Sequence, residues 1–157
     1  MLTNDPIVMT PEGYQRTEYE LEELENVRLP RIVEMVRAAR ELAGTLDPEY
    51  AEAREQLSWI QDRIAELRSR LAHAHVVERA APDGVIGVGC RVVLMFEEDQ
   101  EEMGFEMVGS SEADPLVGRI SCESPLGRSL EGRRAGDRID WSTPDGAETE
   151  ATILRVE

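Results

Sequence analysis

The chain contains no lysine: all 17 of its cationic side chains are arginine, set against 33 acids for a net charge of −16. Proteins bind duplex nucleic acid mainly by neutralising phosphates, so free DNA or RNA is a poor direct partner for so acidic a chain. A positively charged protein surface, or one that holds metal ions, is better matched. Aromatics are scarce at 4%, so any core must rest on Leu, Val, Ile and Met. No apolar run approaches the ~20 residues that a membrane helix needs. The N-terminus lacks the basic and apolar blocks of a secretory leader. Both point to a cytoplasmic protein with no membrane partner. There are two cysteines, Cys90 and Cys122, and two histidines, His73 and His75. They are too scattered to supply the roughly four ligands of a zinc site, and reduced cysteines in or near a core are expected.

The first half of the chain has helical texture. Thr10-Pro11 reads as an N-cap followed by proline at the first helical position. Helix formers then run to about Ala43, with seam residues Tyr14, Thr17, Leu21 and Leu24, and again Ile32, Met35, Ala39 and Leu42. Pro30 falls between the two runs and should kink the helix or shift its phase. Gly44 suits a left-handed C-cap, and Asp47-Pro48 opens a second helix. Tyr50, Ala53, Leu57, Ile60, Ile64, Leu67 and Leu71 alternate spacings of three and four, a seam about three heptads long. Two such helices joined by a short turn predict an antiparallel hairpin.

After Val76-Val77 the texture changes. Ala80–Gly84 reads as a linker, and strand candidates follow at Val85–Val88, Arg91–Phe96, Phe105–Val108, Arg138–Ser142 and Glu150–Val156. Glu97–Glu102 reads as a solvated hairpin loop, Glu112–Leu116 as a turn and Ser129–Arg134 as a short helix. The expected architecture is α+β: an N-terminal coiled-coil hairpin over 1–77, with helices at about 11–43 and 48–74 and a tip at 43–49, then a β-sheet domain over 78–157. The first 75 residues carry 9 Arg against 15 acids, and the remainder 8 against 18.

The residues resemble the GreA/GreB family of transcript cleavage factors along nearly the whole chain. Met9-Thr10-Pro11-Glu12-Gly13 is similar to the family's M-T-x-x-G, and Arg28-Leu29-Pro30-Arg31-Ile32 to its R-x-P-x-I. Ala38–Glu41, Glu49–Gln56 and Ile64–Leu67 resemble the segments around its hairpin tip. Further on, Val108-Gly109-Ser110-Ser111-Glu112-Ala113-Asp114 resembles V-G-x-x-E-A-D, and Ile120–Arg128 resembles the I-S-x-x-S-P stretch. Gly136-Asp137 and Thr143-Pro144-Asp145-Gly146 resemble its G-D and T-P-x-G turns.

The resemblance implies an FKBP-like, antiparallel C-terminal domain with a short helix. It would dock at the rim of the secondary channel of bacterial RNA polymerase while the hairpin enters the channel. The chain would bind no cofactor and be no enzyme itself, acting instead on the polymerase's active site. In cleavage-competent members two tip acids help hold a shared magnesium ion and its water, and nascent RNA is then hydrolysed from its 3′ end. The family tip reads G-D-L-x-E-N-A-E-Y. In Gly44-Thr45-Leu46-Asp47-Pro48-Glu49-Tyr50, Thr45 stands where the Asp should be and Pro48 where the Glu should be.

Asp47 and Glu49 remain as candidate tip acids for a shared magnesium, with Asp47 as an N-cap the alternative. By resemblance Ser121, Glu123, Ser124 and Pro125 form the polymerase contact, the Glu123 carboxylate pairing with a basic group. Arg37 and Arg40 are candidates to lie near RNA within the complex, against ordinary i,i+4 pairing such as Arg37 with Glu41. The expected function is a polymerase-binding elongation regulator with weak or no stimulation of cleavage. The alternatives are a cleavage factor with a rearranged acidic tip, a prolyl isomerase, and a coiled-coil chaperone adaptor.

Overall fold

The computed structural model describes residues 6–43, 45–78 and 83–157. The chain divides into two compact units, one of residues 14–73 and one of residues 1–13 with 74–157. The second unit therefore takes in both ends of the segment assigned to the hairpin from sequence. The reason is a short parallel pair, β1 (Ile7–Met9) with β2 (Ala74–Val76), extended by a bond from the Val77 N–H to the Met9 carbonyl at 2.9 Å.

The helical unit is an antiparallel hairpin. Its first arm is α1 (Pro11–Glu23), a π-helical turn (Leu24–Arg28) and α2 (Leu29–Ala43). Its second arm is α3 (Pro48–Ala72). The π turn is the response to Pro30. Proline offers no N–H and its ring crowds the carbonyl four residues back. The helix widens instead, and Leu29 donates to the carbonyl of Leu24, five residues back. One extra residue is absorbed there, so the buried positions Leu24 and Ile32 lie eight apart rather than seven.

Beyond that turn the seam is not the one expected from spacing. Ile32 is buried and Val36 and Ala39 are half-buried, whereas Met35 is 55% and Leu42 88% exposed. The extra residue rotates the face, so Val36 replaces Met35. On α3 the predicted seam holds: Ala53, Ile60, Ile64 and Leu67 are buried, with Leu57 packed against them. Ion pairs flank this core. Arg63 bridges Glu20 at 2.7 Å and Glu66 at 2.9 Å, and Arg68 pairs with Glu25. The expected C-cap at Gly44 lies outside the described residues, as do residues 80–82 of the expected linker.

The other unit holds a five-stranded mixed sheet in the order β5-β4-β3-β7-β6. Its strands are β3 (Arg91–Phe96), β4 (Glu102–Val108), β5 (Arg119–Ser121), β6 (Arg138–Ser142) and β7 (Glu148–Val156). All pairings are antiparallel except β4 with β5, so the sheet is mixed rather than wholly antiparallel. Leu94, Val92, Met107, Ile139, Ala151 and Ile153 share one face and are buried with Leu130 of α4 (Pro125–Leu130). Phe96 meets Phe105 and Trp141 edge-on at ring separations of 6.4 and 5.9 Å.

Two expectations are corrected here. Val85–Val88 is not a strand: Ile86 is buried, but its backbone bonds to Arg133 and Gly132 in a loop instead of joining the sheet. The short helix lies at Pro125–Leu130, not at Ser129–Arg134. Ser124-Pro125 supplies its N-cap and first position, and Gly132, at φ +76°, marks the chain's turn away after it.

Candidate functional site

The hairpin tip is built by Thr45, Leu46 and Asp47. Asp47 has extended backbone angles, and its Oδ1 accepts the Glu49 N–H at 2.8 Å, which makes it the N-cap of α3 with Pro48 at the first position. This geometry orients the Asp47 carboxylate back onto its own helix. Glu49 is exposed, in the first turn of α3. Among the described residues no group of three or more His, Cys, Asp or Glu side chains could hold a metal ion. Asp47 Oδ1 is engaged by the Glu49 N–H, and the tip acids belong to no such cluster. The tip also carries an apolar side chain in solvent, Leu46, at 98% exposure.

Arg37 pairs with Glu41 at 3.2 Å, the ordinary i,i+4 outcome. Arg40 points to solvent, and no carboxylate partners it among the described residues. Trp59, off the seam, is exposed.

The structure brings Ser121, Glu123, Ser124 and Pro125 into one turn between β5 and α4. Its hydrogen bonds form a closed ring. The Glu123 N–H donates to Ser121 Oγ at 3.1 Å, Ser121 Oγ lies 2.9 Å from Ser110 Oγ, and Ser110 Oγ donates to the Glu123 carboxylate at 2.5 Å. With the Ser110 proton committed to Glu123, the Ser121 hydroxyl must donate to Ser110. Ser124 donates to the Ser121 carbonyl at 2.6 Å and accepts the Gly127 N–H at 3.0 Å as the cap of α4. Gly127 has no alternative here, because a Cβ would sit 2.0 Å from the Ser121 carbonyl oxygen. The result is a rigid, exposed carboxylate beside an exposed proline. Between them and the core, burial foremost and then Glu123 and Glu131 push the Cys122 thiol above its ordinary pKa, so it stays protonated. Cys90 is buried in the core, and both cysteines are free.

Ser110 was not among the residues singled out from sequence, and neither was the partnership between two motifs a hundred residues apart. The Thr10 N–H donates to the Glu112 carboxylate at 2.8 Å and the Thr10 hydroxyl donates to its other oxygen. The Gly13 N–H donates to Thr10 Oγ1 at 3.1 Å. A capping box normally takes its carboxylate from the third helical position. That position is Gly13, and Glu112 supplies the carboxylate from across the sheet unit. Glycine makes the room: a Cβ on Gly13 would lie 1.8 Å from Glu112 Oε1, and one on Gly109 1.7 Å from the Val8 carbonyl oxygen. The M-T-x-x-G and V-G-x-x-E patterns are two sides of one contact.

An antiparallel hairpin inserted after a clasped N-terminal strand, followed in the chain by a mixed sheet with a capped Ser-Pro turn, defines a two-unit helical-hairpin factor. Family models agree. Residues 7–76 match "Transcription elongation factor, N-terminal" and residues 81–157 match "Transcription elongation factor, GreA/GreB, C-term". The chain belongs to the GreA/GreB family of transcription elongation factors. It is 41% identical over 157 residues to transcription elongation factor GreA of Chloroflexus aurantiacus, covering 99% of each chain. It is 33% identical to that of Macrococcus caseolyticus, covering 94% of each. Among solved structures, the GreA factor homolog 1 (Gfh1) protein of Thermus thermophilus matches at 28% identity and a TM-score of 0.43, over 97% of this chain and 99% of that one.

Proposed function

We propose that this elongation factor binds bacterial RNA polymerase, sends its hairpin into the secondary channel, and regulates elongation there with little stimulation of transcript cleavage. The observation that carries this reading is the tip. Thr45 and Pro48 stand at the positions of the family's acidic pair, and Asp47 caps α3. What the tip offers the channel is Leu46 on a rigid two-helix support rather than a converging pair of carboxylates. A finger of this kind would act by occupancy, obstructing substrate entry or competing with cleavage factors.

Docking is assigned to the Ser121–Pro125 turn. The hydrogen-bonded ring through Ser110 fixes the Glu123 carboxylate, so little side-chain entropy is lost when it meets a basic group on the polymerase. Contact with nascent RNA arises only inside the complex, and free DNA is not a ligand, in keeping with the charge of −16.

The test is RNA release from backtracked elongation complexes in Mg²⁺. The proposal expects binding to polymerase, slowed elongation and little 3′ shortening. Rapid 3′ shortening that is lost on Asp47→Asn or Glu49→Gln would instead establish a cleavage factor with a rearranged tip. Separately, Glu123→Arg should weaken polymerase binding by about tenfold or more, as expected for loss of a charge-assisted contact. Unchanged binding would remove the docking assignment.

A further inference from the structure

The turn that leads into β5 holds three consecutive apolar side chains in solvent. Pro115 is exposed, Leu116 is 96% exposed and Val117 62%. The backbone beneath them is tightly fixed. Asp114 Oδ1 accepts the Leu116 N–H at 3.2 Å. The Asp114 carbonyl accepts the Val117 N–H at 3.2 Å and the Arg119 N–H at 3.0 Å, and the Asp114 N–H donates to the Arg119 carbonyl at 2.9 Å. Gly118, at φ +74°, closes the turn. Its carbonyl accepts the Glu106 N–H at 2.9 Å, which ties the turn to β4. Met103, near the start of β4, is a further apolar side chain at 47% exposure. Asp114, Pro115 and Gly118 set this backbone, and none of its bonds uses the side chain of Leu116 or Val117. Polar residues there would fold as well, and a run of three exposed apolar residues is a liability unless a partner covers it.

The surroundings identify the partner. β5 lies at the sheet edge and spans three residues, roughly 10 Å of chain. The apolar turn enters it and the Ser121–Pro125 turn leaves it, so the two are continuous along one edge. Acids flank the apolar residues on both sides: Glu123 is exposed beyond β5, and Glu101 and Glu102 are exposed just before Met103. We propose that Pro115–Val117 is the apolar anchor of the polymerase contact, with Leu116 and Val117 entering an apolar groove whose rim carries basic groups. The proposal rests on the docking assigned above to the Ser121–Pro125 turn. An exposed carboxylate such as Glu123 steers association and sets register. Affinity is concentrated in a few desolvated anchors. Leu116 stands on a turn that is already ordered, so little of its burial is offset by fixing a loop. A second copy of the chain is a poor occupant, because a two-fold pair would set the same acid-flanked patch against itself.

Binding of the full chain to core RNA polymerase is followed in real time over a range of salt. Leu116→Ser should weaken it about tenfold, through faster dissociation and to a similar extent at every salt concentration. Leu116→Met should bind as the parent does. Glu123→Arg should instead slow association, with an effect that shrinks as salt rises. Leu116→Ser should melt with the parent, since its side chain is already in water. Parental binding that Leu116→Ser leaves unchanged would overturn the inference and leave the Glu123 docking in place. A loss confined to association at low salt would overturn it too, as would a lowered Tm, which would show that Leu116 serves the fold. A dimer in sedimentation that Leu116→Ser dissociates would assign the surface to a second copy instead. Absence of binding by the parent would remove the proposed function and this inference together.

Discussion

Replacing Glu112 with alanine tests whether two distant motifs are one contact. Glu112 is 9% exposed and Thr10 3%. The carboxylate accepts both the backbone N–H and the hydroxyl of Thr10, and the hydroxyl in turn accepts the Gly13 N–H. Glu112→Ala strands two buried donors. Each buried donor left without a partner costs about 1–3 kcal/mol. A carboxylate at a helix N-terminus adds some tenths to one through the aligned peptide dipoles. Water entering the vacated space recovers part of this, leaving an expected loss of about 3 kcal/mol from the sheet unit. Glu112→Gln keeps one acceptor oxygen and should lose about half as much. Urea unfolding measures the total. Hydrogen exchange localises it, because the Val77 N–H bonds to Met9 beside Thr10 and should lose protection ahead of the amides of β3 and β7. A loss under about 1 kcal/mol, with Val77 protection unchanged, would refute the clasp.

Gly13→Ala would gain about 0.5–1 kcal/mol on helix propensity alone, yet should destabilise, since its Cβ meets Glu112 Oε1 at 1.8 Å; a Tm above that of the parent would contradict the close approach. Asp47→Ala should lower the hairpin's stability by about 1 kcal/mol through loss of the cap, while Asp47→Asn, which caps as well, should be silent in thermal melts. Arg63 holds the Glu66 carboxyl below its ordinary value of 4.5. A depressed folded pKa stabilises above that value and the stabilisation is lost as pH falls through the folded one. Helicity monitored between pH 6 and 3 should therefore show a small acid softening, a few tenths of a kcal/mol for so exposed a pair. Arg63→Ala should abolish it, and an unaltered acid profile in that variant would assign the softening elsewhere.

The α3 seam was readable because heptad spacing needs only local helical geometry, and Ala53, Ile60, Ile64 and Leu67 are buried as spaced. The α2 seam was not. Pro30 announces a disturbance, but whether a helix kinks or admits a π turn depends on the packing of both arms, and that choice exchanged Met35 for Val36. In the sheet unit, β3 and β6 were legible as β-branched and aromatic runs, whereas β5, of three residues, is set by its pairing with β4 and leaves no periodic trace. Asp47 was visible as a cap by its place before proline. The ring that orients Glu123 was not, since it needs Ser110 from another strand end.

Taken alone, then, the order of residues dictated what short-range rules dictate: which segments of the hairpin coil and where they start. Only the tertiary structure decided that Glu112 caps a helix begun at Thr10, that Gly13 and Gly109 exist to let it, and that Ser110 locks Glu123. Each of those contacts joins residues with no fixed spacing in the chain, so their energies become visible only once the strands that carry them have paired.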